Sequence, residues 1–71
     1  MSMKERIRER RIALKYTQEE LGQKVGLQKS AIAKYEKGRV ENIKRSVLLK
    51  MAEALECSPL YLLDLEDERE Q

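Results

Sequence analysis

Gln28, Lys29, Ser30, Lys34 and Lys37 crowd into one short stretch of the chain. Their side chains are an amide, three ammonium groups and a hydroxyl. An amide offers donors beside an acceptor, an ammonium offers three donors and a charge, and a hydroxyl offers one of each. Ile32 and Tyr35, at helical spacing, supply the apolar side of the same stretch, with Ala31 close by. Positions 29, 30, 33 and 34 then share the opposite face. Such groups bind polar surfaces. Catalysis is a different matter: the chain has no His, no paired carboxylates in an expected cleft and no Gly-rich phosphate loop, and its one Cys, Cys57, lacks a base. With neither His nor a second Cys there is no metal-ligand spacing either. The expectation is a binding protein with no enzymatic activity, no cofactor and no metal.

The elements that position this face are helices. One Pro, at 59, and three Gly, at 22, 26 and 38, interrupt a chain dominated by Ala, Leu, Glu, Lys, Arg and Gln. No alternating β-branched run predicts a strand. The first helix is expected from about Met3 to Lys15, with Met3, Ile7 and Leu14 on one side and Arg11 near that stripe. The second follows Thr17, which forms a T-x-x-E capping box with Glu20; Leu21 and Val25 are its apolar face, and Gly26 is a natural stop. The third starts near Gln28 and ends before Gly38. After a loop of roughly 38–44, a fourth helix runs from about Arg45 to Leu55, with Leu48 or Leu49, Ala52 and Leu55 inward. Ser58 caps and Pro59 opens a short fifth helix carrying Leu62 and Leu63.

Seventy-one residues make one domain with a thin core. No apolar run approaches a membrane span, and the N-terminus is polar and basic rather than secretory. The single cysteine fits a reducing, cytoplasmic setting. The net charge of +2 conceals an asymmetry: residues 1–50 carry 14 Lys/Arg against 6 Asp/Glu, and residues 51–71 carry 1 against 7. A basic body with an acidic end points to a polyanion partner, with the C-terminal end turned away from it.

Helices two and three, joined through Val25-Gly26-Leu27-Gln28, form a helix-turn-helix. Gly26 frees the backbone, Leu27 anchors the turn, and Ile32 packs onto Leu21 and Val25. The polar outer face of helix three has the dimensions of a rod that enters a DNA major groove.

The sequence resembles the Cro/cI-type, lambda-repressor-like helix-turn-helix domains. The residues that carry the resemblance are Arg11, Thr17-Gln18-Glu19-Glu20-Leu21, Gly26, Ser30, Ile32, Tyr35-Glu36, Gly38, Leu49, Ala52, Ala54-Leu55 and Leu62, over about residues 3–63. Three features depart from the pattern. Gly22 stands where Ala is usual, which should cost helix two up to about 1 kcal/mol. Gln28 and Lys29 replace small caps, and the loop GRVENIKR lacks the common Pro.

The resemblance implies an all-α, five-helix fold at residues 1–65, with 66–71 an acidic frayed tail. It implies a sequence-specific double-stranded DNA-binding regulator, most naturally a repressor of phage or prokaryotic type in the cytoplasm, paired as a homodimer at least on DNA. Gln28, Lys29, Ser30, Ala33 and Lys34 are the base-contacting candidates: Gln suits adenine, Lys suits guanine, and Ala33 suits a thymine methyl. Lys29 and Lys34 suit phosphates equally. Gln18, Lys37, Arg39, Lys44 and Arg45 are the phosphate-contacting candidates. Arg11 and Glu36 would form a structural ion pair between helices one and three. Arg6, Arg8 and Arg10 are expected to face solvent. Leu60 and Tyr61 make a candidate dimer patch. The competing reading is a protein-interaction module, an antitoxin or adaptor using that patch and the acidic end. A longer parent chain with a further C-terminal domain fits either reading.

Overall fold

The computed structural model describes residues 2–66, and among them every regular element is helical. The helices are α1 (Met3–Ala13), α2 (Gln18–Val25), α3 (Lys29–Glu36), α4 (Arg45–Ala54) and α5 (Pro59–Leu62). Residues 67–71 of the expected acidic tail lie outside the described residues.

Local chemistry starts most of these helices. Glu20 donates its backbone N–H to the Thr17 hydroxyl at 3.0 Å, and Thr17 returns its own N–H to the Glu20 carboxylate at 2.8 Å, so the expected capping box is complete. Ser58 caps α5 by accepting from the Tyr61 N–H at 3.0 Å, with Pro59 in the first turn. Ser2 plays a comparable part before α1: its N–H and hydroxyl both donate to Glu5 at 2.9 Å. These bonds, the N–H first and then the hydroxyl, hold the Glu5 carboxyl below its usual pKa.

Packing then follows apolar periodicity. α4 contributes Leu48, Met51 and Ala52, and its C-cap Leu55 continues the stripe at i, i+3, i+4 and i+7. This resolves the open choice between neighbours: Leu48 is buried and Leu49 is 47% exposed. The stripe meets Ile7 of α1, Leu21 and Val25 of α2, Ile32 and Tyr35 of α3, and Leu62 of α5. α2 lies against α3 and α4, while α1 lies against α3 and α5. Leu63 falls just past α5 and is exposed, unlike its expected place in the helix.

The turn between α2 and α3 is closed by backbone. Gly26 has φ +75°, the left-handed value that favours glycine. The Leu27 N–H donates to the Gly22 carbonyl at 2.8 Å. This folding-back also explains Gly22. A Cβ there would stand 2.5 Å from the Leu27 carbonyl oxygen, so Ala does not fit. The expected cost of Gly22 relative to Ala is therefore reversed: helix propensity favours Ala, but the close approach of the turn admits only Gly.

Two arginines expected in solvent are engaged instead. Arg6 is 5% exposed. Its guanidinium stacks over the Tyr61 ring at 4.2 Å, pairs with Asp64 at 3.1 Å, and donates to the carbonyls of Tyr61 and Glu66. Arg10 is half-buried and donates from Nε to the Leu55 carbonyl at 3.0 Å. Arg8 is exposed as expected. The tail is also held at its first residue: the Glu66 carboxylate accepts from the Ser58 hydroxyl at 2.9 Å.

Candidate nucleic-acid interface

α3 presents the face anticipated from its spacing. Ile32 and Tyr35 are buried, while Gln28, Lys29, Ser30 and Lys34 are exposed and Ala33 is half-exposed. Among the described residues, no hydrogen bond or ion pair within the protein occupies the side chains of Gln28, Lys29, Ser30 or Lys34. Burial of Tyr35 pushes its phenol pKa up.

The starts of α3 and α4 differ from the other three. Neither Gln28 nor Lys44 makes a side-chain cap, and neither helix has an acid in its first turn. Lys29 opens one helix, and Lys44 with Arg45 opens the other, where the positive end of the peptide dipoles already lies. For stability this placement of charge is unfavourable. For an anion it combines free backbone N–H donors with ammonium and guanidinium groups. Lys37, Arg39, Lys44 and Arg45 are all exposed, along the end of α3 and the start of α4.

Behind this face, Glu36 is locked in place. Its side chain is 4% exposed and accepts from Arg11 Nε at 2.6 Å and Arg11 Nη2 at 2.9 Å. The Arg11 Nη1 donates on to the Tyr16 carbonyl at 2.9 Å. Hydrogen bonding to Glu36 raises the Arg11 pKa further above its ordinary value. The pair thus joins α1 to α3, and also to the loop before α2.

Gln18 is brought into the same network. Its amide donates to Glu36 Oε1 at 3.2 Å. The sequence marks Gln18 as a surface ligand but not this tether, because the two residues are 18 positions apart and no local pattern joins them. Leu60, the other anticipated contact residue, is 48% exposed, with Leu63 and Leu65 exposed beyond it. Tyr61 is half-buried under Arg6.

This arrangement of a capped helix, a glycine turn and a second helix with an open polar face coincides with a family model for the helix-turn-helix over residues 7–62. The chain belongs to the Cro/cI-type helix-turn-helix family. Repressor protein C2 of Salmonella phage P22 is 46% identical over 61 residues, which is 86% of this chain but 28% of that protein. The chain therefore spans little more than a quarter of that relative. The P22 c2 repressor solved in complex with a synthetic operator superposes with a TM-score of 0.86 at 42% identity, covering 93% of this chain and 98% of that one. The N-terminal DNA-binding domain of SinR from Bacillus subtilis gives 0.80 at 28% identity, covering 96% of each. The SinR–SinI complex gives 0.81 at 31% identity, covering 87% of this chain and 60% of that one. Among the described residues of this helix-turn-helix chain, no helix is long and apolar enough to cross a membrane.

Proposed function

We propose that this chain is the DNA-binding domain of a transcriptional repressor that occupies a pseudo-palindromic operator as a two-fold dimer. The observation that carries the reading is the open, uncapped polar face of α3 flanked by cations, in a chain 42% identical to a repressor solved on its operator. α3 enters the major groove. Gln28, Lys29, Ser30, Ala33 and Lys34 meet base edges. Gln18, Lys37, Arg39, Lys44 and Arg45 hold the phosphates and set the register. Two copies pair around Leu60 and Tyr61, and repression follows from occupancy of promoter DNA. No step requires bond chemistry, so the domain acts without catalysis or cofactor, in the cytoplasm.

Selection of bound sequences from a random duplex library tests this. An enriched pseudo-palindrome with half-sites about ten base pairs apart is the expected outcome. A single enriched half-site would remove the dimer from the reading, and absence of any enrichment would overturn it.

A second reading has one specific support. A relative of this fold is solved with a protein partner, SinI, and this chain carries exposed Leu60, Leu63 and Leu65 near its acidic end. Co-purification of a stoichiometric protein, with DNA selection empty, would favour that reading.

A further inference from the structure

The first turn of α1 places a lysine that the spacing of the sequence does not single out. Lys4 lies against Gly38, the residue between Lys37 and Arg39 at the end of α3. Its Cδ is 2.8 Å, and its Nζ 3.6 Å, from where a Cβ on Gly38 would stand. The aliphatic stem thus crosses the backbone just past α3, at the glycine whose chain neighbours are Lys37 and Arg39. Lys4, Lys37 and Arg39 are all exposed, and among the described residues none of the three has an ion-pair partner. Lys4 also borders an open hollow of about 290 Å³, lined with it by Ser2, Met3, Tyr35, Gly38 and Val40.

We propose that Lys4 is an additional backbone-phosphate ligand, seating a DNA phosphate at the mouth of the hollow between the start of α1 and the end of α3. The inference rests on the DNA-binding reading and extends its footprint from α3 to α1. Glu5, the next residue, feels the Lys4 charge, but among the described residues no ion pair holds the Lys4 ammonium, so it can meet a phosphate without first breaking one. Lysine is well suited to this role, because its long flexible stem snorkels across apolar surface and delivers a point charge. A phosphate contact of this kind adds affinity and register without reading sequence.

Fluorescence anisotropy of the full chain on the duplex enriched by library selection, repeated across a salt series, tests the proposal. Lys4→Met keeps the stem over Gly38 and removes the charge. Expected are affinity weaker by up to roughly eightfold at about 0.1 M salt, a slope of log K against log salt smaller by about one, and an unchanged ranking of DNA sequences. Lys4→Arg should restore most of the affinity. Lys50→Met is the control for net charge, since Lys50 lines a different groove with Glu53 and Glu56. Equal slopes for wild type and Lys4→Met, or the same loss in Lys50→Met, would overturn the proposal while leaving the repressor reading intact. A wild-type chain that binds no duplex would overturn both.

Discussion

The Leu27 carbonyl oxygen lies 2.5 Å from the point where a Cβ on Gly22 would stand. The atom that a methyl would meet belongs to the backbone, so no side-chain rotation relieves it. Gly22→Ala should destabilise the domain by about 1–3 kcal/mol, as overpacking does, although Ala is the better helix former. Urea unfolding measures this. A stabilised Gly22→Ala variant would show that the turn relaxes instead.

Glu36 and Arg11 are a nearly buried pair, and removing one member leaves the other charge uncompensated. Glu36→Leu should cost about 3–5 kcal/mol, while the double variant Arg11→Met, Glu36→Leu should cost less than the sum of Arg11→Met and Glu36→Leu. A thermal-melt cycle over the four proteins decides it, and additive losses would contradict the coupling.

Arg6 fastens α1 to residues 61–66 through stacking, an ion pair and two carbonyl bonds. Arg6→Met should keep most of the apolar stem and lose the fastening. Hydrogen exchange should then quicken at α5 while α2 and α3 stay protected, since the freed segment opens locally. Uniform acceleration across all helices would point to global destabilisation instead.

On the proposed assignment, Lys34→Ala changes which bases are preferred. Lys44→Ala and Arg45→Ala should weaken binding to all sequences alike, each lowering the salt slope by about one. Library selection with each variant separates the two kinds of loss, and equal loss of specificity from all three would reject the division of roles.

Burial raises the Tyr35 phenol above its ordinary value of 10.0. The neutral form is the one the fold accepts, so this stabilisation is complete below the unfolded pKa. It is lost as pH rises through the folded one. Stability of the wild type should fall above pH 10.0, and Tyr35→Phe should flatten that part of the curve. Identical alkaline profiles for the two proteins would assign the loss to other groups.

What is legible in the sequence is local. The Thr17–Glu20 box, the Gly26 stop and the Ser58-Pro59 start each involve bonds or dihedrals within three or four residues, so residue type and spacing suffice to read them. The helix-turn-helix and the open face of α3 follow from periodicity in the same way. At Leu48 and Leu49 periodicity leaves two answers, because adjacent positions differ by only about 100° around a helix and the partner surface chooses between them.

Arg6 departs from its sequence expectation for a related reason. Charge points it to solvent, but α5 and the chain beyond it cover it with an aromatic ring, a carboxylate and two carbonyls that lie more than fifty residues away in sequence. Gly22 likewise reads as a weak helix residue until the returning turn fills the space a methyl would take. The amino-acid sequence by itself determined where helices begin, where they stop and which faces are apolar, because those depend on neighbours along the chain. Only the tertiary structure decided which charges are buried, which glycine cannot change and which lysine reaches the end of α3, because those depend on atoms that only folding brings within a few ångströms.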